Sequence, residues 1–229
     1  MNNTKLNYFY NRKRTISNSN ARELLGLKEI VTISTMLNKF NNISKSPEKI
    51  DFFKGKRILD IGCGDKFLQN SIKRYGGEYI GIDIDNCNLE NEKTDFEDDY
   101  FDMVICLALI EHLFDPGNLL EEIKRVLKKD SPLILSTPDI NASKTHFWND
   151  PTHIHPYNPI SMRSLLKLFS FKGVKVVPNY RCKSKFWYSE NSLIFFISRI
   201  LPFKGSNKLP FLGILKGNCK GMFAIAFNP

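Results

Sequence analysis

Long apolar runs are missing from this 229-residue chain, and none approaches the roughly 20 residues that a membrane-spanning helix needs. Histidine is scarce, with four residues in all, so imidazole chemistry has few places to reside. The five cysteines, Cys63, Cys87, Cys106, Cys182 and Cys219, contain no C-x-x-C pair and are odd in number. That pattern suggests reduced thiols in a cytosolic protein rather than a disulfide framework. The opening MNNTKLNYFYNRKR has no apolar core, so a secretion signal is not expected there. No internal repeat is present. Acidic residues are outnumbered, 24 against 33 basic ones, which leaves a formal charge of +9. Such a balance favours anionic partners, either nucleic acid or an acidic membrane face. The same excess is also what solvated lysines on a Lys/Asn-rich surface give.

Hydrophobic residues make up 42% of the chain, enough for one domain with a real core. Residues 1–47 read as a polar tail followed by a helical extension, with apolar residues from Leu24 to Phe40 at helical spacing. From 48 onward, strands and helices alternate. Strands are expected at Arg57–Ile61, Glu78–Ile82, Met103–Leu107, Pro132–Ser136, Val174–Val177 and Met222–Phe227. Helices fall at Phe67–Tyr75, at Asn118–Lys128, and after an Asn158-Pro159 cap, with Gly173 as the stop for the last. This order implies an α/β fold, Rossmann-like, with a mostly parallel sheet and helices on both faces. Ligands in such sheets sit at the carboxyl ends of the strands.

The segment RILDIGCGDKF places Gly62 and Gly64 between the first strand and a helix, the context in which backbone can approach a ligand closely. Asp83 ends the second strand, 21 residues after Gly62, where a carboxylate can accept from two ribose hydroxyls. The third glycine of a dinucleotide fingerprint is absent, since Phe67 stands there. Asp60 separates the alternatives. A carboxylate repels a pyrophosphate but gains a charge-assisted bond beside an ammonium group. A ligand with a ribose and a cationic end is therefore expected.

With these residues in place, the chain resembles the class I S-adenosylmethionine-dependent methyltransferases of the broad type 11 group. LDIGCG is similar to their first motif, IGIDID to the acidic second strand, and TDFEDDYFDMVICLALIEHL to the third and fourth. NLLEEIKRVLKKDSPLILSTPD is similar to the following helix and fifth strand. The match runs from Arg57 to Val177, with a last strand at Met222–Phe227. The resemblance implies a seven-stranded sheet with its last strand antiparallel, and S-adenosylmethionine as cofactor. It implies that Asp60, Gly62, Cys63 and Gly64 line the methionyl end and that Asp83 and Ile84 hold the ribose side. Asp95 would meet the adenine amino group with Phe96 beside the ring, and Leu107 and the residues after it would cover the cofactor. Two departures stand out. Asp65 and Lys66 replace the further glycine usual in the family. Only twelve positions separate Asp83 from Asp95, so the second helix should shrink to a loop and the third strand should be short.

Methyl transfer from a sulfonium is an in-line displacement governed mainly by alignment, and a hydroxyl acceptor also needs a base. Three of the four histidines, His146, His153 and His155, lie in THFWNDPTHIHPYNP, a loop leaving the fifth strand of the motif order. Trp148, Asp150, His153, His155 and Tyr157 are placed to face an acceptor. His153 or His155 is the expected base, with Asp150 orienting it, and His112 in IEHL is a second candidate. H-x-H beside an acid has the shape of a metal site, but the ligand set is thin and no metal is expected.

DPTHIHP with its helix and strand is similar to methyltransferases that modify sugars or other parts of surface polysaccharide. O-methylation of a glycan or related small metabolite is the expected reaction. Methylation of RNA or nucleotides, prompted by the charge, lacks an N/D-P-P-Y/F motif. A non-catalytic scaffold on the same fold is the third alternative. An apolar, basic insertion spans about 183–217 before the last strand. Its stretch 183–212 could lie against a membrane or cap the domain. A cytoplasmic protein, peripheral on a membrane face if that stretch binds lipid, is the expectation; oligomeric state is not legible.

Overall fold

The structure is a computed structural model that describes residues 19–40, 51–84, 87–179, 188, 190–201 and 219–229. Helix α1 covers Ser19–Phe40 and is followed by strand β1 at Arg57–Ile61. Next come α2 at Gln69–Arg74, β2 at Glu78–Ile82 and β3 at Met103–Leu107. Helix α3 at Gly117–Val126 leads to β4 at Pro132–Pro138 and a single turn, α4, at Ile140–Ser143. Helix α5 at Pro159–Leu168, β5 at Lys172–Pro178, α6 at Ser192–Ile200 and β6 at Gly221–Phe227 complete the order. The sheet runs β2-β1-β3-β4-β6-β5. The first four strands are parallel, and β6 is antiparallel to both its neighbours.

Two apolar layers sandwich the sheet. On one face Ile30, Ile33, Met36 and Leu37 of α1 are fully buried with Ile58, Met103, Ile134 and Phe223. On the other, Leu119, Leu120, Ile123 and Val126 of α3 and Met162 and Leu166 of α5 meet Leu59, Val104, Leu133 and Ala224. Alternation along each strand sends successive side chains to opposite layers, which is why the central strands read as unbroken apolar runs. Helix α5 starts as its sequence says. The Asn158 side chain accepts from the amides of Ile160 and Ser161, and Ser161 Oγ reciprocates by accepting from the Asn158 amide.

The sheet departs from the expected seven strands. Among the described residues it has six, and the third strand of the motif order is absent, so β2 forms the edge. The reason is length: only twelve positions separate Asp83 from Asp95, too few for a full helix and a strand. The shortened segment is held by α3 instead. The Arg125 guanidinium donates to the carbonyls of Phe96 and Thr94 and to Asp98 and Glu122. Glu122 is buried and in turn accepts from the amide and hydroxyl of Thr94. Burial alone would raise the Glu122 carboxyl, but the bonds from Arg125 and Thr94 outweigh it and hold it below the usual range. A second difference concerns Gly173. It does not stop α5, which ends at Leu168, but sits with φ +58° in β5, where the pairing with β6 is irregular.

Replacing Arg125 with Ala should therefore leave a buried carboxylate without its cation. We expect a loss of about 2–4 kcal/mol at pH 7. The Glu122 carboxyl is depressed in the fold, so its contribution is present above the ordinary carboxylate range and disappears as pH falls through the folded value. Urea unfolding at pH 7 and at pH 4 checks this: the deficit of R125A should be large at the first and shrink at the second.

Candidate active site

At the carboxyl ends of β1 and β2 the chain makes two turns that are stitched together. The amides of Gly62 and Cys63 both donate to the Ile82 carbonyl at 2.9 and 3.1 Å. Asp83, the first residue past β2, accepts from the Gly64 amide through Oδ2 and from the Ile84 amide through Oδ1, both at 2.8 Å. Gly62 and Gly64 have φ of +71° and +52°, the left-handed region that glycine enters without steric cost. A side chain at Gly62 would press on Leu109, while space beside Gly64 is open. Lys66, one of the two residues that replace the expected glycine, nevertheless adopts φ +57°. The turn thus keeps a glycine-like path through a residue for which that path is strained.

A shallow, open cleft of about 50 Å³ lies over these turns. Ile61, Gly62, Ile82, Asp83 and Ile84 form one side, and Cys87, Asn88 and Leu89 another. Leu109 and Leu113, from the turn after β3, close it. Leu109 is directed there by Ala108, which has φ +52° and donates its amide to the Ser136 carbonyl on β4. The Asn118 side chain at the start of α3 fixes the 89–92 wall by donating to the carbonyls of Leu89 and Glu92.

The other cofactor candidates fall outside the lining. Asp60 is 2% exposed and lies on the opposite sheet face from Ile61, where its Oδ2 accepts the Tyr79 hydroxyl at 2.8 Å. Burial pushes its carboxyl up to about 7; the Tyr79 bond opposes this and the charges of Asp83 and Asp65 add to it. Burial likewise raises the Cys63 thiol to about 11, with Asp60 and Asp83 adding, so it remains a protonated, buried group and not a nucleophile. Asp95 is exposed, and Phe96 is half-buried against Tyr100 and Phe101. Leu107 is half-buried against the α1 layer. Leu89 and Leu113 are among the contributors that sequence reasoning did not single out. Their only signal was an apolar residue in a polar loop or after a strand.

The histidines separate. The backbone after β4 is tied to the turn after β3 by the Glu111 carbonyl, which accepts from the amides of Ile154 and His155 at 2.8 and 3.1 Å. Below that tie, Asp150 Oδ1 accepts the hydroxyl and amide of Thr152 at 2.6 and 3.0 Å. The Thr152 hydroxyl lies 2.9 Å from His112 Nδ1. His153 Nδ1 lies 2.6 Å from the Phe147 carbonyl, and its Nε2 is 3.8 Å from Asp150 Oδ2. The structure therefore gathers His112, Asp150 and His153 and adds Glu111 and Thr152, which the sequence did not single out. His155 stands apart, half-buried, with its ring 6.3 Å from that of Tyr157. Trp148 and His146 are exposed. One ligand atom each from Glu111, His112 and His153 lie within 4.8 Å of one another, the one group among the described residues with that potential to hold a metal.

The Asp60 geometry has a measurable consequence in the cofactor-free protein. A carboxyl raised in the fold contributes stability below its ordinary value and loses it as pH rises through about 7. Asp60→Asn, which keeps an acceptor for Tyr79, should remove that loss, worth about 2–4 kcal/mol. The melting temperature of the variant minus that of the parent should grow between pH 5 and pH 8. Parallel curves would contradict the assignment.

Comparisons with known proteins bear on the family and the fold. A family model described as "Methyltransferase domain" matches residues 37–176. A ubiquinone biosynthesis O-methyltransferase of Hahella chejuensis is 30% identical over 128 residues, covering 44% of this chain and 54% of that protein. Its counterpart in Alkalilimnicola ehrlichii is 31% identical over 113 residues, 41% of this chain and 46% of the relative. The chain thus spans about half the length of these curated relatives. Among solved structures, a SAM-dependent methyltransferase from Archaeoglobus fulgidus superposes with a TM-score of 0.54 at 23% identity, covering 87% of this chain and 94% of that one. An S-adenosylmethionine-dependent methyltransferase from Mesorhizobium loti gives 0.52 at 12% identity, with 77% and 92% covered. These likenesses share the fold. With the family match spanning most of the sheet and its glycine turn, the chain belongs to the methyltransferase-domain family.

Proposed function

We propose that this protein transfers a methyl group from S-adenosylmethionine to a hydroxyl oxygen of a small metabolite. The observation that carries the reading is the pairing of the Gly62–Gly64 turn with Asp83 at one cleft, in a chain of this family. Asp83 and Ile84 would hold the ribose side, Gly62, Cys63 and Gly64 would let backbone approach the methionyl end, and Leu109 and Leu113 would cover it. Asp60 would serve from behind the turn through its charge, and Asp95 and Phe96 would close the adenine side. The bound cofactor would supply the electrophilic methyl group, and the protein's part is alignment and deprotonation of the acceptor.

Oxygen as the acceptor atom is supported by the curated relatives, which are O-methyltransferases. A sugar or glycan, expected from DPTHIHP, is one member of that class and has no counterpart among those relatives. For the base the geometry favours His155 over His153. His153 is turned into the cluster with Asp150, whereas the His155 backbone is tied to the turn after β3 and Tyr157 pairs with Asp139 at the end of β4. His155 thus stands at the carboxyl edge of the sheet, where an acceptor would meet the methyl donor.

The stretch 183–212, considered for membrane contact, is described only at 188 and 190–201. There α6 turns Ile194 and Phe195 inward and leaves Leu193, Phe196 and Ile200 exposed. Arg199 anchors it to the buried Asp139 at 3.0 Å. No described helix is long and apolar enough to cross a membrane.

The test is methyl transfer from labelled cofactor to pools of phenolic metabolites, sugars and RNA. Label should enter hydroxylated small molecules and not RNA. His155→Gln should lower kcat by about 10²–10³-fold with little change in cofactor KM and should abolish the acid limb of the pH profile. An unchanged kcat would remove His155 from the chemistry, and labelling confined to RNA would overturn the acceptor class.

A further inference from the structure

We propose that Glu111, His112 and His153, with Asp150 beside them, form a binding site for a divalent transition-metal ion of the zinc class. The site is distinct from the cofactor cleft and stands whether or not the methyl-transfer reading holds. It is assembled from two segments distant in sequence: the 3-10 turn Ile110–His112 after β3, and the loop 150–153 after β4. Their backbones already meet where the Glu111 carbonyl accepts from Ile154 and His155.

The hydrogen bonds fix both imidazoles in the form that a metal takes. A carbonyl oxygen can only accept, so the 2.6 Å contact between His153 Nδ1 and the Phe147 carbonyl places the proton on Nδ1. The lone pair is then on Nε2, the nitrogen facing Asp150 Oδ2 at 3.8 Å. His112 follows the same logic. The Thr152 hydroxyl donates to Asp150 at 2.6 Å, so its oxygen accepts a hydrogen bond from His112 Nδ1–H, which also points at the Thr152 carbonyl at 3.2 Å. In that tautomer the ring lone pair of His112 is on Nε2. Metal-bound histidines characteristically donate their other ring N–H to a carbonyl or carboxylate-linked group, and both histidines here have that second partner in place. Asp150 Oδ1 accepts from Thr152, and its Oδ2 lies 3.8 Å from His153 Nε2.

Size and charge also fit. Glu111, His112, Asp150 and His153 are all buried or nearly so, with the His153 side chain 11% exposed. One ligand atom from each of Glu111, His112 and His153 lies within 4.8 Å of the others, against about 3.3 Å between ligands in a tetrahedral zinc site. Two carboxylates and two neutral imidazoles would balance the charge of a dication, so the filled site would be neutral in a buried setting. The mixed nitrogen and oxygen donors select zinc, cobalt or manganese over calcium or magnesium, which prefer oxygen alone. A bound ion would clasp the β3 turn to the loop that carries His155.

The experiment uses the full-length chain stripped with chelator and dialysed. Zinc is titrated calorimetrically, cobalt is added as a spectroscopic probe, and melting is followed with and without zinc. One ion per chain, a visible cobalt absorption band and a rise of several degrees in melting temperature are expected. His153→Asn and Glu111→Gln should each weaken zinc binding at least tenfold, and His146→Asn, at an exposed histidine outside the cluster, should leave it intact. If Glu111→Gln fails to fold, His153→Asn carries the comparison, its fold checked by circular dichroism. Absence of saturable zinc uptake by the parent protein overturns the proposal, as does uptake unchanged in folded His153→Asn.

Discussion

A single carboxylate holds the candidate cofactor site together. Asp83 stands at the end of β2 and accepts from the Gly64 amide across the strand gap and from the Ile84 amide next to it. Those two bonds fix the glycine turn relative to the second strand, and the Ile82 carbonyl fixes the other half of that turn. Charge-assisted bonds to backbone amides are among the stronger ones available, and they cost no long side-chain entropy. With the turn held, Leu109 has a defined floor to close upon, and the cleft takes its shape.

The absence of the third strand among the described residues leaves this edge of the sheet anchored all the same, because α3 takes over that duty. Arg125 is bonded to two backbone carbonyls and two carboxylates of the 94–98 segment and its own helix. A strand would have satisfied those carbonyls through a ladder. Here a guanidinium with five donors does so from the side. The 94–98 segment is consequently loop, and Asp95 remains exposed on it.

Strand positions were the most legible part of the sequence. Arg57–Ile61, Glu78–Ile82 and Met103–Leu107 are found where apolar runs and flanking turns place them, since buried parallel strands leave an unbroken signature. The loss of a strand was foreshadowed by spacing, although its complete replacement by loop was not. The side-chain partnerships were not legible. Alternation in RILDIGCG puts Asp60 and Ile61 on opposite faces, but it does not say which face bounds the cleft or that Tyr79 waits on the other. His153 and His155 look equivalent in H-x-H, yet the fold of the loop sends one to a buried cluster and leaves the other near Tyr157. Glu111 was overlooked beside His112 because a lone acid after a strand is usually a turn residue, and only the approach of the β4 loop gives it company. Residues 183–187, 189 and 202–217 of the expected insertion lie outside the described residues, as does Cys182.

The central claim is that the Asp83-bound glycine turn forms a pocket for S-adenosylmethionine. Calorimetric titration of the full chain with S-adenosylhomocysteine tests it most directly, with nicotinamide dinucleotide as the competitor of a different class. The account predicts saturable, one-to-one binding of S-adenosylhomocysteine, at least tenfold weaker binding by Asp83→Asn, and none of the dinucleotide. Binding of the dinucleotide instead, or equal affinity in the parent and in Asp83→Asn, would contradict it.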